Sequence, residues 1–239
     1  MPNSYFQFQQ FRIEQEDCAQ KVSTDACLLG AAADLTGASR VLDIGTGTGL
    51  LALMAAQRAP AATIEAIEIN PAAAAQAAAN VAASPWPSRI RVQPLSLADY
   101  AATQPTPFSH ILCNPPFFQR SLVPPDATRA AARHAGENSL TFGELAAFAA
   151  QHLLPQGSLT VLLPPPEMAT FAAEAGLVGL VAQARLQVRH RPGGRVTREI
   201  EQFRREVLAV EEKELVIQTS DGAYSAAFRA LLAGFYLGL

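Results

Sequence analysis

The sequence predicts an α/β fold built on a mostly parallel sheet with helices on both faces. From Arg40 onward, short apolar runs alternate with stretches of helical periodicity, as in parallel strands joined by crossover helices. With 49% hydrophobic and 16% charged residues, the 239-residue chain has enough apolar side chains for one core. We therefore expect one domain over 1–239, with a hairpin and helix in 1–38 and the α/β core in 39–239.

The expected elements follow in chain order. Residues 5–13 alternate aromatic and polar side chains, which predicts a short hairpin or edge strand. Thr24 is the expected N-cap of a helix that extends to about Asp34. Seven core strands are predicted near 40–44, 62–68, 89–94, 108–113, 157–163, 178–189 and 203–217. Helices are predicted near 48–58, 71–82, 141–153, 166–175 and 223–235, and the abundant alanine favours them.

Composition and charge exclude several classes of protein. Eighteen Lys and Arg against 21 Asp and Glu leave a net charge of −3, so no global basic field indicates a nucleic-acid partner. Cys18, Cys27 and Cys113 are too widely spaced, and odd in number, for a disulfide framework or a zinc site. No apolar run approaches the length of a membrane span or a signal core. We expect a soluble, cytoplasmic monomer without a metal.

A glycine-rich loop follows the first core strand. Gly45, Gly47 and Gly49 open a predicted helix, and glycines in such a loop let the backbone approach a ligand closely. The spacing is G-x-G-x-G, unlike the G-x-G-x-x-G of dinucleotide sites. Asp43, just before the loop, would repel a pyrophosphate and suits a ligand that carries an amine. A purely structural turn is the alternative.

An acidic residue ends the second core strand. Glu68 lies nineteen residues after Gly49, where a carboxylate can accept hydrogen bonds from both ribose hydroxyls. Glu65 is expected to be a solvated residue on the other face of the strand. The loop and Glu68 together resemble the S-adenosylmethionine site of the class I methyltransferases, which have a Rossmann-like fold. The resemblance implies that the loop glycines line the methionine part of the cofactor and that Glu68 holds the ribose.

The same resemblance places a residue after the third strand beside the adenine of the cofactor. Here that position falls in residues 96–99, so Leu97 and Asp99 are the implied contacts. Asp99 is equally well explained as an acidic residue at a helix N-terminus.

The tetrapeptide Asn114-Pro115-Pro116-Phe117 follows the fourth core strand at the carboxyl edge of the sheet, where ligands bind. Its prolines remove backbone donors and stiffen the turn. Acceptors on Asn114 and Pro115 can hold the two hydrogens of a planar amino group and direct its lone pair at a methyl donor. Phe117 can stack on the flat group beside Pro116. A stiffened turn with a core aromatic residue is the alternative.

An NPP motif followed by an aromatic residue is similar to the signature of methyltransferases that act on amino nitrogens. Adenine N6, guanine N2 and a glutamine amide all remain open as acceptors at this point. Cys113 precedes the motif on an apolar strand, and we interpret it as a core residue rather than a nucleophile.

The whole chain resembles the bacterial tRNA adenine-N6 methyltransferases that modify position 37 in the anticodon loop of valine tRNA. The resemblance is carried by the two motifs and by residues 8–15, 18–30, 84–86, 132–134 and 235–237. It departs at Gln9, where the family has lysine, and at Ser23 and Ala26, where it has glycine. It implies S-adenosyl-L-methionine as cofactor, with Lys21, Thr24 and Asn114 in the cofactor pocket. Alternatively, Thr24 is only a helix cap and Lys21 a solvated charge.

Two further segments are candidates for binding tRNA. Residues 114–140 contain four prolines and little periodicity, which is typical of a lid, and they carry Arg133 and His134. Residues 185–205 contain seven arginines and two glutamates, a local charge of 7 − 2 = +5 around the turn 192–194. We assign Arg189, Arg191 and Arg195 in this hairpin to RNA phosphates. A solvated strand face is the alternative.

The predicted function is therefore methyl transfer to N6 of adenine 37 in valine tRNA. Guanine-N2 methylation of ribosomal RNA is the next candidate, followed by glutamine-amide methylation of a release factor. A nicotinamide oxidoreductase would need the G-x-G-x-x-G spacing and has no use for the NPPF motif. A non-catalytic RNA-binding module would keep the basic hairpin without needing the cofactor.

Overall fold

A computed structural model describes residues 4–16, 18, 21–115, 140–206 and 209–238. The strands within these residues are β1 (Tyr5–Gln7), β2 (Arg12–Glu14), β3 (Arg40–Ile44), β4 (Thr63–Ile67), β5 (Ile90–Gln93), β6 (Phe108–Cys113), β7 (Leu153–Leu163), β8 (Val181–Arg189), β9 (Val196–Arg204) and β10 (Glu211–Val216). The helices are α1 (Thr24–Ala32), α2 (Leu50–Arg58), α3 (Pro71–Ala82), α4 (Leu97–Ala102), α5 (Phe142–His152), α6 (Pro165–Leu177) and α7 (Ala226–Leu232).

The main sheet has the order β10-β8-β9-β7-β6-β3-β4-β5. Strands β3 to β7 pair only in parallel with one another, and β10 is parallel to β8. Strand β9 runs antiparallel between β7 and β8. The predicted mostly parallel α/β sheet is therefore confirmed.

The sequence analysis was wrong about the end of the sheet. It expected seven core strands with the last over 203–217, whereas the described residues form eight, with β9 at Val196–Arg204 and β10 at Glu211–Val216. The charged residues of β9 resemble a solvated loop, but Ile200 and Phe203 are buried and carboxylates on neighbouring elements pair with its arginines. A strand with such partners does not need an apolar sequence.

Two helix predictions need correction. The N-cap of α1 is Ser23, whose Oγ accepts a hydrogen bond from the Ala26 amide at 3.2 Å, and Thr24 is the first helical residue. Helix α4, which the sequence analysis considered only as an alternative for Asp99, has six residues, of which Tyr100 alone is buried.

The predicted amino-terminal hairpin is confirmed as the antiparallel pair β1–β2. It packs against the other end of the described chain, where Phe8 forms a β-bridge with Tyr236. The Gln9 side-chain amide donates to the carbonyls of Ala233 at 2.8 Å and Tyr236 at 2.6 Å. Gln9 thus satisfies carbonyl groups just after α7.

Apolar clusters cover both faces of the sheet. One contains the hairpin and helices α1, α2 and α7, and the other contains α4, α5 and α6. Helices α1 and α2 approach closely at Gly30, where an added Cβ would lie 2.5 Å from Met54 Sδ. None of the helices in the described ranges is long and apolar enough to cross a bilayer.

Candidate active site

The chain reverses its direction across the sheet between β3 and β6. It runs outward through β4 and β5 on one side of β3 and returns to β6 on the other side. Ligands of open parallel sheets bind at the carboxyl ends of the strands at such a switch point. Ile44 lies opposite Cys113, so the glycine loop and Asn114 leave the sheet side by side. The fold therefore brings the two predicted motifs together.

The loop after β3 requires its glycines. Gly45, Gly47 and Gly49 have φ angles of +72°, +55° and +86°, a region that L side chains rarely adopt. The amides of Gly45 and Thr46 donate to the Ile67 carbonyl at 2.9 and 3.0 Å, which fixes the loop against the end of β4. These contacts fix the glycine loop in a defined conformation just before the N-terminus of α2.

Asp43 lies completely buried beneath this loop. Its Oδ2 accepts hydrogen bonds from Thr46 Oγ1 at 2.5 Å and from the Ala52 amide at 3.1 Å. Its Oδ1 is buried and accepts none from the residues that the structure describes. Burial, with a smaller contribution from the nearby Glu68 charge, raises the pKa of Asp43 to about 7, although the two hydrogen bonds oppose the shift. Asp43 Oδ1 is therefore available to accept a hydrogen bond from a ligand, and a cationic donor suits it best.

Glu68 follows β4 and faces the same loop. Its Oε2 accepts from the Gly47 amide at 3.0 Å, and its Oε1 accepts from the Asn70 amide at 3.0 Å. Ile69, which the sequence analysis missed, is 46% exposed beside it. Its position directly after Glu68, at the end of a strand, could have identified Ile69 as a candidate apolar contact for a ligand. Glu68 and Ile69 therefore present a polar and an apolar side chain side by side at the sheet edge.

Glu65 is not the solvated residue that the sequence predicted. Its side chain is only 18% exposed and pairs with Arg40. It also accepts hydrogen bonds from Tyr100 and, at 3.2 Å, from the Gln93 side chain. Glu65 thus belongs to a structural network away from the glycine loop.

Leu97 and Asp99 open helix α4 after β5. Ser96 is the N-cap, and its Oγ accepts from the Asp99 amide at 3.0 Å and donates to Asp99 Oδ2 at 2.6 Å. The alternative of an acidic residue at a helix N-terminus is therefore observed for Asp99. Leu97 is partly buried against the neighbouring apolar cluster.

Asn114 leaves β6 with an unused acceptor. Its Oδ1 is buried and has no donor within the described ranges, and Pro115 is buried next to it. Cys113 has no exposed surface, and burial together with Asp43 raises the pKa of its thiol, so it is a core residue as predicted. The predicted site residues Pro116, Phe117, Arg133 and His134 lie outside the described residues.

The amino-terminal segment lies against the glycine loop. Asn80, which the sequence analysis missed, donates from Nδ2 to the carbonyls of Glu14 and Thr48, both at 2.9 Å, and its Oδ1 accepts from the Glu14 amide at 2.9 Å. A Cβ placed on Gly47 would lie 3.7 Å from Cys18 Sγ. A single asparagine in an alanine-rich helix gives no sequence signal for this role. Lys21 and Thr24 are exposed at the end of the segment.

Neighbouring carboxylates pair with many arginines of the predicted basic hairpin. The ion pairs are Arg185 with Glu201 and Glu212, Arg189 with Glu214, Arg198 with Asp25, and Arg204 with Asp34. The predicted charge of +5 counted only carboxylates within 185–205 and missed those that other elements supply. His190, Arg191 and Arg195 are exposed at the tip and form no ion pair with described residues. We define these three residues as the hairpin tip.

Three or more His, Cys, Asp or Glu side chains do not come together as a metal site anywhere in the described ranges. The groups that face the switch point are acceptors and backbone amides. Such an arrangement suits the binding of an organic cofactor and a planar amino group.

Comparisons with known proteins agree with this geometry. Residues 18–165 match the family model of the methyltransferase small domain. The chain is 41% identical over 240 residues, 100% of both chains, to a tRNA1(Val) (adenine(37)-N6)-methyltransferase of Bacteroides thetaiotaomicron. It is 41% identical to the enzyme of the same name from Pseudoalteromonas translucida, covering 98% of this chain and 99% of that one.

A crystal structure of a predicted O-methyltransferase from Agrobacterium tumefaciens has the same fold. It superposes with a TM-score of 0.66 and 21% identity over 88% of this chain and 96% of that one.

Proposed function

Because the chain belongs to the methyltransferase small domain family and is a relative of the tRNA1(Val) (adenine(37)-N6)-methyltransferases, we propose that it methylates N6 of adenine 37 in valine tRNA, with S-adenosyl-L-methionine as the methyl donor. The observation that carries this proposal is the buried, unused Oδ1 of Asn114 beside the glycine loop, at the switch point of the sheet. A buried acceptor without a donor is costly, and a bound amino group would satisfy it.

The residues around the loop fit the cofactor. The free Oδ1 of Asp43 is an acceptor for its ammonium group. The Glu68 carboxylate would exchange its bonds to backbone amides for bonds to the ribose hydroxyls, and Ile69 and Leu97 would contact the adenine. Gly45, Gly47 and Gly49 would line the methionine part, Lys21 and Thr24 would approach from the amino-terminal side, and Asp99 would contact the adenine side.

Catalysis would rest on orientation. When bound, S-adenosylmethionine would supply an activated methyl group on its sulfonium, with S-adenosylhomocysteine as the leaving group. Asn114 Oδ1 and the Pro115 carbonyl would each accept one hydrogen of the adenine amino group. Their combined pull favours the pyramidal nitrogen, whose lone pair then faces the methyl carbon. One amino proton leaves to solvent after transfer, so no side chain needs to act as a strong base.

The tRNA would contact the protein beyond the switch point. We propose that the hairpin tip binds phosphates, with Arg189 supporting it, while Pro116, Phe117, Arg133 and His134 contact the extruded base and its neighbours. Arg189 Nε is held by Glu214 Oε2 at 2.7 Å, so it would position the tip more than it binds RNA. We further propose that 1–239 acts as one domain and as a monomer in the cytoplasm, where tRNA is available.

The first experiment is methyl transfer from labelled S-adenosylmethionine to unmodified valine tRNA. We expect label on this tRNA and none on the same tRNA carrying guanine at position 37. If both tRNAs are labelled equally, the assigned nucleotide is wrong. If neither is labelled although S-adenosylhomocysteine binds, the substrate is not this tRNA, and ribosomal RNA and release factors are tested next.

Calorimetry separates the other classes of function. We expect S-adenosylhomocysteine to bind and NAD to give no heat. Binding of NAD alone would favour an oxidoreductase, and binding of RNA without either cofactor would favour a non-catalytic RNA-binding module.

A further inference from the structure

Helix α1 lies across strand β9 and is joined to it by an ion pair at each end. Asp25, in the first turn of α1, pairs with Arg198 near the start of β9, with Oδ2 2.7 Å from Nε. Asp34, just after α1, approaches Arg204 at the end of β9, with Oδ2 4.0 Å from Nη2. The two pairs therefore connect the same two elements at opposite edges of the sheet.

Only the first pair is at the edge that carries the candidate active site. Strand β9 is antiparallel to β7, and Glu199 lies opposite Leu163, the last residue of β7. Arg198 therefore lies at the carboxyl edge of the parallel strands. Arg204 is the last residue of β9 and follows Phe203, which lies opposite Leu159, so Arg204 is nearer the amino ends of the parallel strands.

Glu14 and Cys18, which precede Asp25, lie beside the glycine loop, and we call residues 14–16, 18 and 21–24 the segment. Asn80 ties Glu14 to the Thr48 carbonyl, and Cys18 Sγ approaches Gly47. The Val22 amide donates to Gln15 Oε1 at 2.8 Å, which joins the two ends of the segment. The segment is thus fixed to the loop through Asn80 and to the sheet edge through Asp25.

We propose that Asp25 and Arg198 are positioning residues for cofactor binding, which hold residues 14–16, 18 and 21–24 in register with the glycine loop. This inference rests on the proposed function. Arg198 also donates from Nη1 to the Thr197 carbonyl at 2.7 Å, and the Asp25 and Arg198 side chains are 28% and 30% exposed. The pair is therefore partly shielded and keeps a defined geometry. Loss of either charge should loosen the segment and weaken cofactor binding without altering the reacting groups.

Binding of S-adenosylhomocysteine by calorimetry tests the proposal. We expect Asp25→Asn and Arg198→Gln each to weaken binding by about fivefold, the size of effect that a partly exposed ion pair can produce. The double variant should be no weaker than Arg198→Gln alone, because Arg198→Gln already removes the contact with Asp25. Arg198→Lys, which keeps the charge, should recover part of the affinity. With saturating cofactor, kcat should stay within about twofold of the unchanged protein.

Asp34→Asn is the matched control, since it removes a carboxylate joined to the same helix and strand at the opposite edge. It should leave cofactor affinity unchanged. Equal affinity in Asp25→Asn and the unchanged protein would overturn the inference, as would an equal loss in Asp34→Asn. If the unchanged protein does not bind S-adenosylhomocysteine, the proposed function fails and this inference fails with it.

Discussion

Asn114 lies two residues beyond Leu112, the register partner of Asp43 on the adjoining strand, and each polar side chain keeps one buried oxygen without a donor in the described part of the chain. Two such oxygens at one sheet edge are costly for folding unless a ligand uses them. The pair thus indicates a site arranged for binding at the expense of stability.

Asn114→Ala should separate catalysis from cofactor binding. We expect kcat on tRNA to fall by about 100-fold or more, because an acceptor for the reacting amino group is removed. Affinity for S-adenosylhomocysteine should stay within about threefold. The melting temperature should not fall, since the lost oxygen has no donor in the described structure. A variant with full turnover would refute the role of Asn114.

Asp43 should impose a pH dependence on stability. Its folded pKa of about 7 lies above its ordinary value of 3.8, so the native state keeps a proton that the unfolded state has lost. The free energy of unfolding should therefore decrease as pH rises from about 4 to about 7. Urea denaturation of Asp43→Asn and the unchanged protein measures this, and the stability difference in favour of the variant should grow over that range. A difference that does not vary with pH would contradict the raised pKa.

Glu65 in β4 and Glu68 just after β4 provide a matched comparison. Glu68→Gln should weaken S-adenosylhomocysteine binding by about tenfold or more, because the amide can no longer accept both ribose hydroxyls. Glu65→Gln should instead lower the free energy of unfolding by about 1–3 kcal/mol, because it breaks the pair with Arg40, and should leave affinity unchanged. Calorimetry and urea denaturation of both variants test this. If Glu65→Gln weakened binding and Glu68→Gln lowered stability instead, Glu65 would be the cofactor-binding residue and Glu68 the structural one.

Substitutions in the hairpin tip should weaken RNA binding without affecting cofactor binding. Arg191→Glu with Arg195→Glu should weaken tRNA binding by about tenfold and reduce its salt dependence, because phosphate contacts are lost. S-adenosylhomocysteine binding should not change. Lys213→Glu with Arg229→Glu alters the net charge equally at other positions and is the control. Unchanged tRNA affinity, or an equal loss in the control, would show that the tip makes no specific contact.

The sequence predicted the parts of the fold and site that depend on local patterns. The glycine loop, Glu68 and the NPP motif follow buried strands, so their meeting at one sheet edge follows from parallel topology. The ion pair of Arg189 could not be predicted, because its partner Glu214 comes from β10, whose pairing with β8 is non-local.

The hydrogen bonds by which Asn80 joins Glu14 to Thr48 could not be predicted from the sequence either. Its two partners, Glu14 and Thr48, are 66 and 32 residues away in the chain. Nothing in the sequence around Asn80 distinguishes it from a solvated helix residue. Only the packing of the amino-terminal hairpin on α3 gives it a function.

The contact between Gln9 and Tyr236 constrains the order of events during synthesis. These residues are 227 positions apart, and the hairpin that contains Gln9 leads into the segment over the glycine loop. The hairpin cannot form these hydrogen bonds until residues 233–236 have left the ribosome. A nascent chain stalled with residues 233–236 still covered should therefore bind S-adenosylhomocysteine more weakly than a chain that exposes them.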